Sequence, residues 1–144
     1  MEAHPKLPVS SSSPEEPTLE QTAKLKDAAE QGDAEAQFSL GLSYDIGNGV
    51  AEDHKEAVRW YTKAAEQGHA DAQYRLGFSY HYGYGGVIKD KVQAYAWYNI
   101  AVANGNETAK EAKTAVAEEM TKEQIAEAFK LLLKLPPEAF PRND

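Results

Sequence analysis

The chain has 144 residues, 42% of them apolar, and a net charge of −8 from 15 Lys and Arg against 23 Asp and Glu. The acidic balance argues against nucleic-acid binding, which draws on Lys and Arg for phosphate contacts. No apolar run approaches the ~18 residues that cross a bilayer, and the absence of cysteine removes disulfides and thiolate metal sites.

In chain order, residues 1–17 are rich in Pro and Ser and read as a disordered tail. They contain no apolar core of the signal-peptide kind, so a cytoplasmic location is expected, with a periplasmic or secreted one if a signal has been removed. The first helix is expected over 18–31, with Thr18 and Gln21 in capping-box spacing and Gly32 as a left-handed stop. Helices follow over 34–46 and 54–67, the second opened by Asp53 with Glu56 and closed by Gly68. The next pair is 70–82 and 90–104, with Asp90 and Gln93 at the second start. The last pair is 107–119 and 122–135, where Thr121 and Gln124 repeat the capping spacing. Residues 136–144 read as a C-terminal tail. All seven prolines lie outside 18–135, which suits near-continuous helix between them.

The middle of this series is one block written twice. Ala36, Leu40, Gly41, Tyr44, Gly47 and Gly49 recur as Ala72, Leu76, Gly77, Tyr80, Gly83 and Gly85. After the extra Gly86, Val50, Asp53, Ala57, Trp60, Tyr61, Ala64 and Gly68 recur as Val87, Asp90, Ala94, Trp97, Tyr98, Ala101 and Gly105. A period of this length marks a solenoid. The pattern predicts an all-α, α/α right-handed superhelix of about seven antiparallel helices over 18–135. It divides into a half repeat 18–33, repeats 34–69 and 70–106, and a degenerate capping pair 107–135. Lys24 stands where the repeats have Trp60 and Trp97, as a polar outer face at an array end should. Ile125, Ala128, Phe129, Leu132 and Leu133 give the last helix an apolar face. Gly41 and Gly77, costly within a helix, predict close approach of the paired helix, with Tyr61 or Tyr98 over the bare backbone. Val50 and Val87 are expected to anchor their loops in the core. Those glycine-rich loops lack a following Lys-Ser/Thr and a preceding strand, which disfavours a nucleotide loop.

The sequence around Leu40-Gly41, Tyr44, Gly47, Gly49-Val50, Asp53, Ala57, Trp60-Tyr61 and Ala64 to Gly68, with its second copy, resembles the Sel-one-like repeat, a relative of the tetratricopeptide repeat. The resemblance covers about residues 28–106. It implies a non-catalytic adaptor or scaffold that holds a peptide or protein, with the first helix of each pair lining the concave surface. A cysteine-rich branch of that family is linked to β-lactam binding or hydrolysis; this chain has none of those cysteines.

On the first helix of each repeat, the residues not needed for the core are Glu35, Phe38, Leu42, Asp45 and Ile46, then Asp71, Tyr74, Phe78, His81 and Tyr82. They read either as a recognition surface for apolar anchors with basic flanks, or as packing against the neighbouring repeat. Positions where the copies differ, such as Asp45 against His81, are where partner choice is expected. No catalytic or metal constellation is present: His4, His54, His69 and His81 are scattered, and no cofactor is expected. Self-association through the array ends is the alternative, giving a monomer or weak dimer.

Overall fold

The computed structural model describes residues 16–142. Its helices are α1 (Leu19–Glu30), α2 (Ala34–Ile46), α3 (His54–Glu66), α4 (Ala70–Tyr82), α5 (Lys91–Ala103), α6 (Thr108–Ala117) and α7 (Lys122–Leu132), with 3₁₀ turns at Tyr84–Gly86 and Pro137–Ala139. Helices adjacent in sequence pack together from α1 to α6, and α7 packs back on α5. The expected all-α solenoid is therefore what the chain forms.

Helix starts follow from local chemistry. Thr18 with Gln21 and Thr121 with Gln124 make reciprocal capping boxes. Asp53 and Asp90 cap only one way, each accepting from the backbone N–H three residues on. Their own N–H groups are already committed to Tyr44 and Tyr80 carbonyls at 2.8 Å. A return bond from the third residue has no free donor to find, and Glu56 turns instead to Arg59. These two N–H bonds tie each loop to the end of the preceding helix. That helix stops at Gly47 or Gly83, whose φ of 71° and 70° L side chains rarely adopt.

The core is a series of equivalent clusters. Ala29, Ala36, Leu40 and Trp60 form one. Their counterparts one repeat later, Ala65, Ala72, Leu76 and Trp97, lie together in a second, larger one. Tyr61 and Tyr98 are each 1% exposed, and burying a large side chain of this kind contributes ~1.5–3 kcal/mol. They lie directly over Gly41 and Gly77, where an added Cβ would stand 2.6 Å from the ring. Close helix approach thus accounts for both mid-helix glycines. Val87 packs against the core, and Val50 is half-buried.

The C-terminal helix departs from expectation in its face. Ala128 is buried and Ile125, Leu131, Leu132 and Leu135 are half-buried, but Phe129 is 48% and Leu133 87% exposed. The ten-residue α6 covers little of α7, so α7 turns its apolar stripe toward α5, and Phe129 meets Tyr95 edge-on. A larger correction concerns residues 136–144, expected as a tail. Up to residue 142, where description ends, they pack against the repeats: Ala139 is 0% exposed and its carbonyl accepts from Gln73 and Asn104. Two primary amides with spare N–H groups hold a segment that composition alone marks as loose. Most of the expected tail 1–17 lies outside the described residues; Pro17 lies against Gly49.

Candidate interaction surface

The first helices of the two repeats, α2 and α4, carry the ten candidate residues, and their environments divide them; Ile46, at the end of α2, is exposed. Asp45 is held by three neighbours. The Tyr61 hydroxyl donates to its Oδ2 at 2.6 Å, the Tyr84 hydroxyl to Oδ1 at 3.3 Å, and His54 Nδ1 lies 3.0 Å from Oδ1. His54 also lies 2.7 Å from the Tyr84 hydroxyl and 3.2 Å from Glu52. Burial, then the hydrogen bond and the charge of Asp45, raise the ionisation of the Tyr61 phenol well above the usual tyrosine range. The same causes raise Tyr84. This network fastens the loop between α4 and α5 to repeat 1.

His81, at the position of Asp45, is not offered to a partner. It is 5% exposed, stacks on Tyr82 with ring centroids 4.2 Å apart, and has Nδ1 3.2 Å from the Tyr98 hydroxyl. Expecting it on an open face fails because the hydroxyl of Tyr98, like that of Tyr61, takes a polar partner from the facing helix. Glu35 and Asp71 are exposed, and each receives a bond from the residue that opens the following helix pair: Glu35 from His69 Nε2 at 2.8 Å, Asp71 from Asn106 Nδ2 at 2.7 Å. His69 and Asn106 also accept from the backbone of their own helices, at Ala72 and Ala109. One side chain therefore caps a helix and links it to the previous repeat.

Phe38 is half-buried, stacked on His69 at 4.5 Å and near Tyr61 at 5.8 Å. Tyr74 packs near Tyr98, also at 5.8 Å, and Leu42 is half-buried. Phe78 and Tyr82 remain open, 38% and 57% exposed, with centroids 4.8 Å apart. Beside Phe78 a cleft of about 250 Å³ is lined by Asp45, Tyr61, Arg75, Ser79 and Tyr84. A second, of about 200 Å³, lies between Phe38, Asp71, Tyr74, Arg75, Asn106 and Thr108. Arg75 borders both. Among the described residues its guanidinium makes no ion pair or hydrogen bond, whereas the acids around it are engaged.

Arg75 and Tyr84 escaped the reading from sequence. The signal was present: Arg75 stands where repeat 1 has Ser39, and Tyr84 where it has Asn48. Among the described residues no group of three or more His, Asp or Glu could hold a metal ion, and no helix is long and apolar enough to cross a membrane.

The two-copy block coincides with a known family model, the Sel1 repeat, matched at residues 34–69 and 70–106, together just over half of the chain. The chain belongs to the Sel1 repeat family. These repeats form generally non-enzymatic scaffolds that bind proteins. Among solved structures, the Sel1 chain resembles c5321, a protective antigen present in uropathogenic Escherichia coli strains displaying an SLR fold, with 37% identity and a TM-score of 0.76 over 85% of this chain. It also resembles a Sel1 repeat protein from Oxalobacter formigenes, with 39% identity and a TM-score of 0.66 over 68% of this chain. It spans 27% and 28% of those two chains. No curated protein matches it. The right-handed α/α superhelix follows from this membership together with the helix order.

Proposed function

We propose that this Sel1 array is a non-catalytic interaction module that binds a peptide or protein segment on the concave face formed by α2 and α4. The observation that carries the reading is the open aromatic pair Phe78 and Tyr82 beside two clefts and Arg75, which has no ion pair among the described residues. The aromatics offer anchoring area with little rotamer entropy to lose, and an arginine bordering both clefts favours a carboxylate on the bound segment. Tyr74 and Phe38 form the floor. Asp45, His81, Glu35 and Asp71 shape the face through bonds within the protein rather than by touching the partner. The basic flanks expected from the acidic residues give way to an acidic or mixed anchor, since Glu35, Asp45 and Asp71 are already bonded.

The test is affinity capture followed by calorimetry with the purified partner, comparing wild type with Phe78→Ala and Arg75→Ala. Each variant is expected to bind at least ~10-fold more weakly, the equivalent of about 1.4 kcal/mol, with an unchanged far-UV spectrum. Unchanged affinity in both would place the partner elsewhere.

A further inference from the structure

The segment that ends the described chain occupies a site that the repeat symmetry produces twice. In the second copy, Gln73 Nε2 donates to the Ala65 carbonyl at 2.9 Å and to the Ala139 carbonyl at 2.8 Å. Asn104 Nδ2 donates to Gln73 Oε1 and to Ala139, both at 2.9 Å. All four amide hydrogens are used. The Glu138 carbonyl lies over Gly68, 2.7 Å from where a Cβ would stand, and Ala139 is wholly buried.

The first copy has the same walls. Gln37 Nε2 donates to the Ala29 carbonyl at 3.1 Å, and Gln67 Nε2 to Gln37 Oε1 at 2.8 Å. Gln37, Gln67, Ala29 and Gly32 are the repeat equivalents of Gln73, Asn104, Ala65 and Gly68. Ala29, Ala36, Leu40 and Trp60 likewise match Ala65, Ala72, Leu76 and Trp97 of the cluster that holds Ala139. Among the described residues nothing takes the place of Ala139. Among those residues the second N–H of each amide has no partner, and a Cβ on Gly32 would meet nothing within 4 Å. Gln37 is 5% exposed where Gln73 is 0%, and Ala36 8% where Ala72 is 0%. Trp60, in the same cluster, carries a buried indole N–H without a partner. The series stops there: the third equivalent of Gln73 is Lys110, which pairs with Glu107.

We propose that the notch formed by Gly32, Gln37 and Gln67 is a second binding site, which takes an extended peptide of another protein with an alanine-sized residue followed by an aromatic. The two spare amide hydrogens grip one backbone carbonyl, as their counterparts grip that of Ala139. The small residue fits because the carbonyl approaches so closely that its side chain is enclosed, as Ala139 is. A second copy of this chain is a poor source, since the segment around Ala139 already fills the second notch of its own copy. The site is separate from the α2–α4 face and independent of the reading given for it.

The experiment adds a synthetic peptide spanning residues 135–142, capped at both ends, to isotopically labelled full-length protein, following side-chain amide resonances. Saturable shifts of the Gln37 and Gln67 amides are expected. Gln67→Ala, at an exposed position, should weaken binding about five-fold, as loss of one hydrogen bond requires. Gln67→Asn, which copies the second notch, should restore it, and a peptide with tryptophan for the alanine should not bind. The proposal is overturned if only the Gln73 and Asn104 resonances move, if nothing moves at millimolar peptide, or if Gln67→Ala binds as well as wild type.

Discussion

The hydroxyl of Tyr61 donates to Asp45 at 2.6 Å, and one repeat later Tyr98 meets His81 at 3.2 Å. The same tyrosine, at the same place over the same glycine, is answered by an acid in one copy and an imidazole in the other. A buried phenol needs a polar partner, and either residue satisfies it. Removing the carboxylate leaves the Tyr61 hydroxyl buried without an acceptor and loosens the bonds to His54 and Tyr84. Asp45→Ala is therefore expected to cost about 2 kcal/mol, read from the urea midpoint, whereas Phe78→Ala on the open face should cost well under half of that.

The mid-helix glycines make a sharper case. Alanine normally stabilises a helix interior over glycine by ~1 kcal/mol. At Gly77 its methyl would stand 2.6 Å from Tyr98 Cδ1 and 3.3 Å from the Ala94 carbonyl. Gly77→Ala should thus destabilise by about 1–3 kcal/mol, as overpacking does. A thermal melt that rises instead would show that Tyr98 can move aside.

These two sites also show what the sequence made legible. Glycine at a fixed place in both copies, with a tyrosine at matching distance, announced a close helix contact, and helix ends and repeat boundaries could be read from caps and period. The fates of Asp45 and His81 could not. Their positions lie on the first helix of each repeat, away from the core stripe, yet their side chains reach back to the tyrosine hydroxyls, and helical spacing says nothing of that reach. Phe78 and Tyr82 are open and lie off the core stripe, as helical spacing implies; Arg75 stands where the other copy has the small polar Ser39, and spacing does not single it out. The seating of Ala139 depends on spare amide hydrogens, which become visible only when partners are counted.

Alkaline pH should unfold the protein through its tyrosines. Burial raises Tyr61 and Tyr98 above the usual value of 10.0, helped at Tyr61 by Asp45 and at Tyr98 by its tyrosine neighbours. Both remain neutral in the folded state while the unfolded chain ionises. Stability is complete below pH 10 and falls as pH rises above it, by up to ~1.4 kcal/mol per pH unit for each. In an absorbance titration at ~295 nm the ionisation of Tyr61 and Tyr98 should coincide with the loss of helical signal.

His69 both caps α4 and reaches Glu35, and Asn106 does the same two jobs for α6 and Asp71. His69→Ala is expected to cost about 1 kcal/mol through the lost cap alone. His69→Asn should recover most of that in a denaturant titration, the remainder reflecting the lost stacking on Phe38. Equal effects of the two substitutions would mean that stacking, not capping, is what the position supplies.

A repeat array ordinarily holds each unit only to its neighbours and can open from either end one unit at a time. The bond from Gln73 to Ala139 joins positions 66 residues apart. It works as a clasp: α7 cannot peel away without releasing the segment around Ala139 from between repeats 1 and 2. Fraying at that end is thereby charged to the middle of the molecule, and α6 and α7 should melt as a single unit with repeat 2.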